Sequence, residues 1–97
     1  MPYEVILKPE AVKDLDGLRK YDVATIADAI ERHLTSNPQK TSRTRIKRLR
    51  GKQDADYRLR VGDYRVFYTI DDEELTVFVL RILHKQQTVE SYKEEGP

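Results

Sequence analysis

The stretch YRLRVGDYRVFY at residues 57–68 constrains the fold of this chain most, because it has the pattern of a β-hairpin. Apolar and polar side chains alternate on both sides of Gly62-Asp63, and this pair is typical of a two-residue turn between antiparallel strands. The turn sets the register and predicts that Arg60 lies directly opposite Arg65. The residues predicted to face the protein core are Leu59, Val61, Tyr64 and Val66.

The other face of the predicted hairpin carries three arginines, since Arg58 is a diagonal neighbour of the Arg60–Arg65 pair. Like charges that face each other across a hairpin reduce stability, although exposed charges on a sheet can also serve only to prevent aggregation. No acidic side chain is predicted to face these arginines, because the nearby acidic residues are in turns. The face therefore indicates a site for an external anion. Phe67, opposite Arg58, and nearby tyrosines offer surfaces on which a nucleic-acid base could stack.

The remaining residues predict an α+β fold in a single domain that spans residues 1–97, a length that supports one modest core. Asp22 is interpreted as the N-cap of the second helix, and the polar, weakly periodic residues 39–56 predict a long ordered loop. The predicted architecture is a strand, an αα-hairpin and a three-stranded antiparallel meander with a short C-terminal helix, with the helices packed on one sheet face. The predicted elements are a strand at 3–8, helices at 9–20 and 22–34, strands at 57–61, 64–70 and 75–83, and a helix at 88–93 with Thr88 as candidate cap.

The composition favours a cytoplasmic protein without a tightly bound metal or cofactor. No apolar run is long enough to span a membrane, and the start of the chain lacks the pattern of a secretory signal. The chain has no cysteine and only 2 histidines, which leaves no thiolate nucleophile and too few ligands for an evident zinc site. A glycine-rich phosphate loop is also absent from the sequence.

The net charge of +1 conceals a strongly basic middle segment. Residues 40–68 hold 10 Lys and Arg against 3 Asp and Glu, whereas the segments before and after are net acidic. Such a concentration of positive charge is a footprint of phosphate binding, although solvated basic loops are common. The candidate phosphate-contacting or partner-docking residues of the loop are Arg43, Arg45, Lys47, Arg48, Arg50 and Lys52.

The two histidines and a C-terminal tyrosine are further candidates for a catalytic or binding role. His33 lies on the polar side of the second predicted helix and is interpreted as a solvated surface residue. His84 closes the last strand and precedes Lys85, so it is predicted to lie near the mouth of the basic face, although a structural or capping role fits equally well. Tyr92 taken alone is a hydrophobic anchor whose hydroxyl faces water.

Three motifs resemble the RelE/ParE superfamily of bacterial toxins from type II toxin-antitoxin modules. They are LRG at 49–51, YRLRVGDYRVFYTIDDE at 57–73 and VLRILHKQQTVESY at 79–92. The resemblance runs from about residue 3 to residue 92, with the same order of elements. The hairpin motif is specific for the superfamily, but its ribosome-dependent mRNA endonucleases and its gyrase poisons share it.

Resemblance to the nuclease branch implies that the protein cleaves mRNA in the ribosomal A site without a metal. By position, Arg58 and Arg60 match the paired basic residues of that branch, and Arg65 matches its phosphate-binding arginine. Arginines are poor general bases, so the proton acceptor is His84, Lys85 or a group of the ribosome or substrate. The C-terminal matches are Lys85, as a second basic group, and Tyr92, which with a one-residue gap matches a tyrosine that stacks on an mRNA base.

The resemblance also implies a partner, namely a cognate antitoxin that wraps over this protein and neutralises its basic face. The pair would bind promoter DNA only through the antitoxin. The leading interpretation is a ribosome-dependent mRNA endoribonuclease toxin that inhibits translation, and the C-terminal HKQQTVESY favours it. The alternatives are a ParE-like toxin that poisons DNA gyrase, with the hairpin as scaffold, and an inactive module that titrates an antitoxin.

Overall fold

The predicted hairpin forms the middle of a sheet in the computed structural model, which describes residues 2–51 and 53–88. The fold class is α+β, as predicted. In chain order the elements are β1 (Glu4–Leu7), α1 (Pro9–Asp16), α2 (Lys20–Leu34), β2 (Ile46–Arg48), β3 (Tyr57–Val61), β4 (Tyr64–Asp71), β5 (Thr76–His84) and α3 (Lys85–Thr88). No helix within the described ranges is long and apolar enough to cross a membrane.

The sheet has five strands in the order β1-β5-β4-β3-β2. The predicted antiparallel meander of β3, β4 and β5 is its centre, and β1 joins one edge by pairing in parallel with β5. The other edge corrects the prediction of a continuous loop over 39–56, because β2 pairs with β3 there. Ile46 is buried in the main core, and the pairing of this segment with β3 gives the edge of β3 a backbone partner, because the Arg45 carbonyl oxygen accepts from the Arg60 N–H.

The register of the hairpin confirms the sequence prediction. Arg60 pairs with Arg65 and Arg58 pairs with Phe67. Gly62 has a φ of 58°, and among the described non-glycine residues only Leu75 has a positive φ. The turn therefore has the left-handed residue at its first central position, which is the geometry of a type II′ turn with glycine there.

Two separate hydrophobic clusters pack against the sheet, one on each face. The larger cluster joins α1 and α2 to one face, and Ile26, Leu34, Leu59 and Val66 are fully buried in it. The smaller cluster lies on the opposite face, which was predicted to be exposed. It contains Leu49, Ala55, Phe67 and Leu83, with Leu80 packed against it.

Two of the three predicted helix starts differ from the structure, whereas α1 begins at Pro9 as predicted. Helix α2 begins at Lys20 with Arg19 as its N-cap, so Asp22 lies in the first turn and does not cap the helix. Asp22 is held instead by Arg19, at 3.6 Å, and by the Tyr64 hydroxyl, which donates to it at 3.4 Å. Helix α3 begins at Lys85, directly after β5, and the rest of the predicted segment 88–93 lies outside the described residues.

An aspartate on α1 closes the open edge of β5. A register shift at Phe67/Tyr68 interrupts the pairing of β4 with β5, and beyond it β5 runs past the end of β1. At this edge Asp14 accepts hydrogen bonds from the backbone N–H of Ile82 at 2.9 Å and from the Arg81 guanidinium at 2.8 and 3.0 Å. These bonds fix α1 against the sheet and occupy Arg81.

Replacing Tyr68 by phenylalanine is expected to lower the free energy of unfolding by about 1–3 kcal/mol. The Tyr68 hydroxyl is buried and donates to the buried carbonyl oxygen of Pro38 at 2.5 Å, and burial raises the pKa of this hydroxyl. Phenylalanine would leave that carbonyl without its donor. Urea unfolding followed by circular dichroism measures the change. Tyr21→Phe is the control, because Tyr21 is 77% exposed; equal stability of the two variants would contradict the prediction.

Candidate functional site

The face of the sheet opposite the helices carries the predicted site, and we call it the arginine face. Strand alternation places its members on this side, and the register brings residues from four strands together. The arginine face consists of Lys47 on β2, Arg58 and Arg60 on β3, Arg65 and Phe67 on β4, and Arg81 and Leu83 on β5.

Arg60 and Arg65 face each other next to the hairpin turn. The Arg65 guanidinium folds back onto the turn, and its Nη1 donates to the carbonyl oxygens of Gly62 and Tyr64, both at 2.9 Å. Arg60 has an exposed side chain, while its backbone N–H is held by the carbonyl oxygen of Arg45 at 2.7 Å. The backbone thus positions two cations of like charge side by side without an acidic residue between them in the register.

Lys85 joins this pair from the end of β5, as the sequence predicted. Its backbone N–H donates to the carbonyl oxygen of Asp63 at 2.7 Å, and its Nζ lies 3.3 Å from the Asp63 carboxylate. Both side chains of this ion pair are more than half exposed, at 51% and 65%, so the pair contributes little stability and a stronger anion can compete for the lysine. Arg60, Arg65 and Lys85 together form a group that we call the tip cations.

Arg58 departs from its predicted role as a phosphate contact. It is 5% exposed, and its Nη1 donates to the carbonyl oxygens of Thr44 at 3.2 Å and Arg45 at 3.1 Å. A buried guanidinium needs such acceptors, and the segment before β2 supplies them. Arg58 therefore fastens that segment to the sheet and is not presented to a ligand in this structure.

Phe67 also corrects the sequence interpretation, because its ring is buried and cannot stack on a base. It is 2% exposed and packs with Leu49 and Ala55, which the segment after β2 folds over it. The sequence does indicate that this part of the face is covered by another segment. Leu83 and Leu80 add apolar surface on the same side of the sheet, and such a surface is buried when a neighbouring segment can reach it.

His84 lies on the helix side of the sheet and not at the arginine face. It pairs with Tyr64, and the two rings meet edge to face at 5.5 Å. Burial, followed by the nearby Asp22 carboxylate, raises the pKa of Tyr64, so that its hydroxyl stays protonated. His84 Nδ1 accepts a hydrogen bond from the backbone N–H of Gln86 at 3.2 Å, which matches the structural role that the sequence left open.

The basic loop forms an exposed rim beside β2. The Arg48 guanidinium lies 5.5 Å from the centre of the Tyr57 ring and donates to its hydroxyl at 3.2 Å, and Tyr57 stacks on Tyr68. Lys47 is half-buried opposite Arg58. The exposed rim residues are Arg43, Arg45, Arg48 and Arg50, whereas the predicted site residues Lys52 and Tyr92 lie outside the described residues.

Solved structures similar to this one include chains of toxin-antitoxin complexes. A chain in the crystal structure of the toxin-antitoxin complex RelBE2 from Mycobacterium tuberculosis is 32% identical with a TM-score of 0.75, covering 87% of this chain and 92% of that chain. A chain in the archaeal RelE-RelB complex from Pyrococcus horikoshii OT3 is 28% identical with a TM-score of 0.70, covering 88% and 97%. The fold is that of the RelE-type toxins of toxin-antitoxin systems.

Sequence comparisons then give the family. Toxin RelG of Mycobacterium tuberculosis is 33% identical over 85 residues, which are 88% of this chain and 93% of that toxin. Toxin RelE of the same organism is 31% identical over 84 residues, or 87% and 82%. The sequence model of the family described as "ParE toxin of type II toxin-antitoxin system, parDE" matches residues 5–89. This chain belongs to that toxin family, in agreement with the motifs of its central hairpin.

Proposed function

We propose that this toxin inhibits translation by cutting mRNA in the ribosomal A site as a metal-independent endoribonuclease. The observation that carries the proposal is the register of the hairpin, which sets Arg60 directly against Arg65 with Lys85 beside the same turn. Like charges that face each other across a hairpin reduce stability, and a bound phosphate would offset that cost. The similarity to toxins named RelG and RelE supports this branch of the superfamily.

The tip cations suit the charge that builds up during RNA cleavage. In this reaction the ribose 2′-oxygen attacks the adjacent phosphorus, the 5′-oxygen of the next nucleotide leaves, and the phosphorane between them carries extra negative charge. Donors already held in place stabilise that charge more than the charge of the ground state. The two carbonyl bonds to Arg65 provide such positioning, because they fix its guanidinium before substrate arrives.

The proton of the 2′-hydroxyl needs an acceptor that arginine cannot supply, since a guanidinium stays charged at any relevant pH. His84 is on the opposite side of the sheet, which leaves Lys85 as the candidate of the two among the described residues. Its Nζ lies next to the Asp63 carboxylate at the exposed turn, and we assign Lys85 as a phosphate contact and not as the base. We assign the acceptor to the ribosome or the substrate, and the reaction then depends on the ribosome.

A cognate antitoxin is the second partner of the proposal. Two of the solved relatives were determined as complexes, one of RelE with RelB and one as the RelBE2 toxin-antitoxin complex. We infer that an antitoxin segment with acidic residues covers the tip cations of this chain and that the pair contacts promoter DNA only through the antitoxin. Action on ribosomes places the protein in the cytoplasm.

Primer extension on a reporter mRNA in a purified translation system tests the function. We expect new 3′ ends at A-site positions when ribosomes are present and intact mRNA when they are omitted. Lys13→Ala is the matched control for loss of one positive charge, because Lys13 is exposed on α1, and it should cut as the wild type does. Intact mRNA with ribosomes present, from a folded protein that still arrests growth, would sink the nuclease assignment.

DNA gyrase is the alternative target, and two observations favour it. The matching family is named for ParE, and the buried Arg58 and Phe67 make part of the arginine face a scaffold. A gyrase poison should accumulate cleaved plasmid DNA in a gyrase cleavage-complex assay, and this should not require Arg60 or Arg65. If the protein neither cuts mRNA nor traps gyrase, the remaining interpretation is a module that only binds an antitoxin.

A further inference from the structure

A pocket of about 230 Å³ lies between the C-terminal end of α2 and the segment that leads into β2. Residues from α2 and from the segment that follows it form the walls. His33 comes from the helix, and Lys40, Ser42 and Arg45 come from the segment before β2. This volume is below the range of about 300–1,000 Å³ that accommodates drug-sized ligands, so the pocket suits a small group.

The charged side chains that line this pocket are all basic among the described residues. No Asp or Glu lines the pocket in the described part of the chain, whereas Lys40 and Arg45 supply two permanent positive charges. A second pocket, of about 370 Å³, shows the contrast, because Lys8 and Arg81 are balanced there by Glu10 and Asp54. Positive charge without an internal counterion marks the first pocket as the better site for an external anion.

Three side chains have donors available to such an anion. Ser42 Oγ accepts hydrogen bonds from the backbone N–H groups of Arg45 at 3.0 Å and Ile46 at 3.2 Å. A hydroxyl has two lone pairs and one proton, so these two bonds leave Ser42 with its O–H as a donor. The side chains of Lys40 and Arg45 are exposed and make no hydrogen bond or ion pair with the described residues.

His33 reports the electrostatic potential of this pocket. Partial burial lowers its pKa, the charges of Arg45 and Arg32 lower it further, and Asp28 opposes them. Lys40 also lines the pocket and adds to the positive potential. An anion held between Lys40 and Arg45 would offset these charges, so it should raise the pKa of His33.

We propose that this pocket binds a phosphate group, with Lys40, Arg45 and the Ser42 hydroxyl as its donors. The donor set fits a tetrahedral oxyanion. The carbonyl oxygen of Arg45 also accepts bonds from Arg58 and from the Arg60 backbone, so the pocket and the arginine face share one segment. Because Arg45 lies beside Arg60 in the sheet, the pocket adjoins a tip cation, and we infer that one RNA chain contacts both. That the phosphate belongs to RNA rests on the proposed function.

Proton NMR of the full chain tests the site through the titration of His33. The protein is titrated in sodium sulfate and in sodium chloride of equal ionic strength, since sulfate is a tetrahedral anion whose charge stays constant over this pH range. We expect sulfate to raise the pKa of His33 in the wild type and in Lys13→Ala, and to leave it unchanged in Lys40→Ala/Arg45→Ala.

Affinity measurements with inorganic phosphate and with a 2′-O-methylated RNA trinucleotide identify the source of the group. Both should bind saturably, and the double variant should weaken each at least tenfold. If inorganic phosphate binds and the RNA trinucleotide does not, the anion site is supported but its assignment to RNA is overturned. An equal effect of sulfate and chloride, or equal phosphate binding by the double variant, would overturn the site itself. The primer-extension assay is independent of these readouts, so loss of the nuclease proposal and loss of this site are distinguishable.

Discussion

Arg65→Ala is expected to lower the rate of mRNA cleavage on the ribosome by about 10²- to 10³-fold, the loss typical of removing one preset donor from a developing oxyanion. Arg65 is the tip cation that the backbone holds most firmly, through the carbonyl oxygens of Gly62 and Tyr64. These acceptors lie at an exposed turn where water can replace the arginine. Stability should therefore change by no more than about 1 kcal/mol. Single-turnover primer extension with stalled ribosomes measures the rate.

Two further variants separate charge from geometry at this position. Arg65→Lys keeps the positive charge but loses the planar fork of donors, so its rate should fall between those of the wild type and Arg65→Ala. Lys13→Ala removes a charge from α1 and should keep the wild-type rate. Undiminished cleavage by a folded Arg65→Ala protein would show that the hairpin tip is not the phosphate site.

The hairpin was predictable because all of its determinants are local. Gly62 fixes the turn, alternation fixes the faces, and a two-residue connection leaves one register, so the pairing of Arg60 with Arg65 follows from the sequence. The parallel pairing of β1 with β5 joins residues about 70 positions apart, and no local pattern encodes it. Strand β2 was missed because three residues with two cations show no periodicity of their own.

The errors at the site arose from contacts between distant segments. Alternation places Arg58 and Phe67 on the solvent side of the hairpin, and it cannot show that Thr44 and Arg45 cover the one and Leu49 and Ala55 the other. His84 was misplaced for a different reason. The register shift at Phe67/Tyr68 changes the alternation of β5 relative to β4, so the face of its last residue cannot be counted from its first. The tip cations were found because they lie next to the turn itself.

Arg58→Ala is expected to reduce the free energy of unfolding by about 3 kcal/mol, which follows from losing two hydrogen bonds of a charged donor at about 1.5–3 kcal/mol each, offset in part by solvation. Arg58 is buried and joins β3 to the carbonyl oxygens of Thr44 and Arg45. The Arg45 carbonyl keeps its bond from the Arg60 backbone, so the Thr44 carbonyl is the acceptor left without a partner from Arg58. Urea unfolding at fixed pH measures the loss.

Arg60→Ala is the matched control, because Arg60 lies two residues further along the same strand face with an exposed side chain. It should change stability by no more than about 0.5 kcal/mol and should lower cleavage instead. The two neighbouring arginines are thus expected to give opposite results, one in stability and one in rate. If Arg58→Ala were as stable as the wild type and lost cleavage, the guanidinium would turn from the Thr44 segment to the substrate in the working complex. The motif match of Arg58 to the paired basic residues of the nuclease branch would then describe its function better than its contacts in the free protein do.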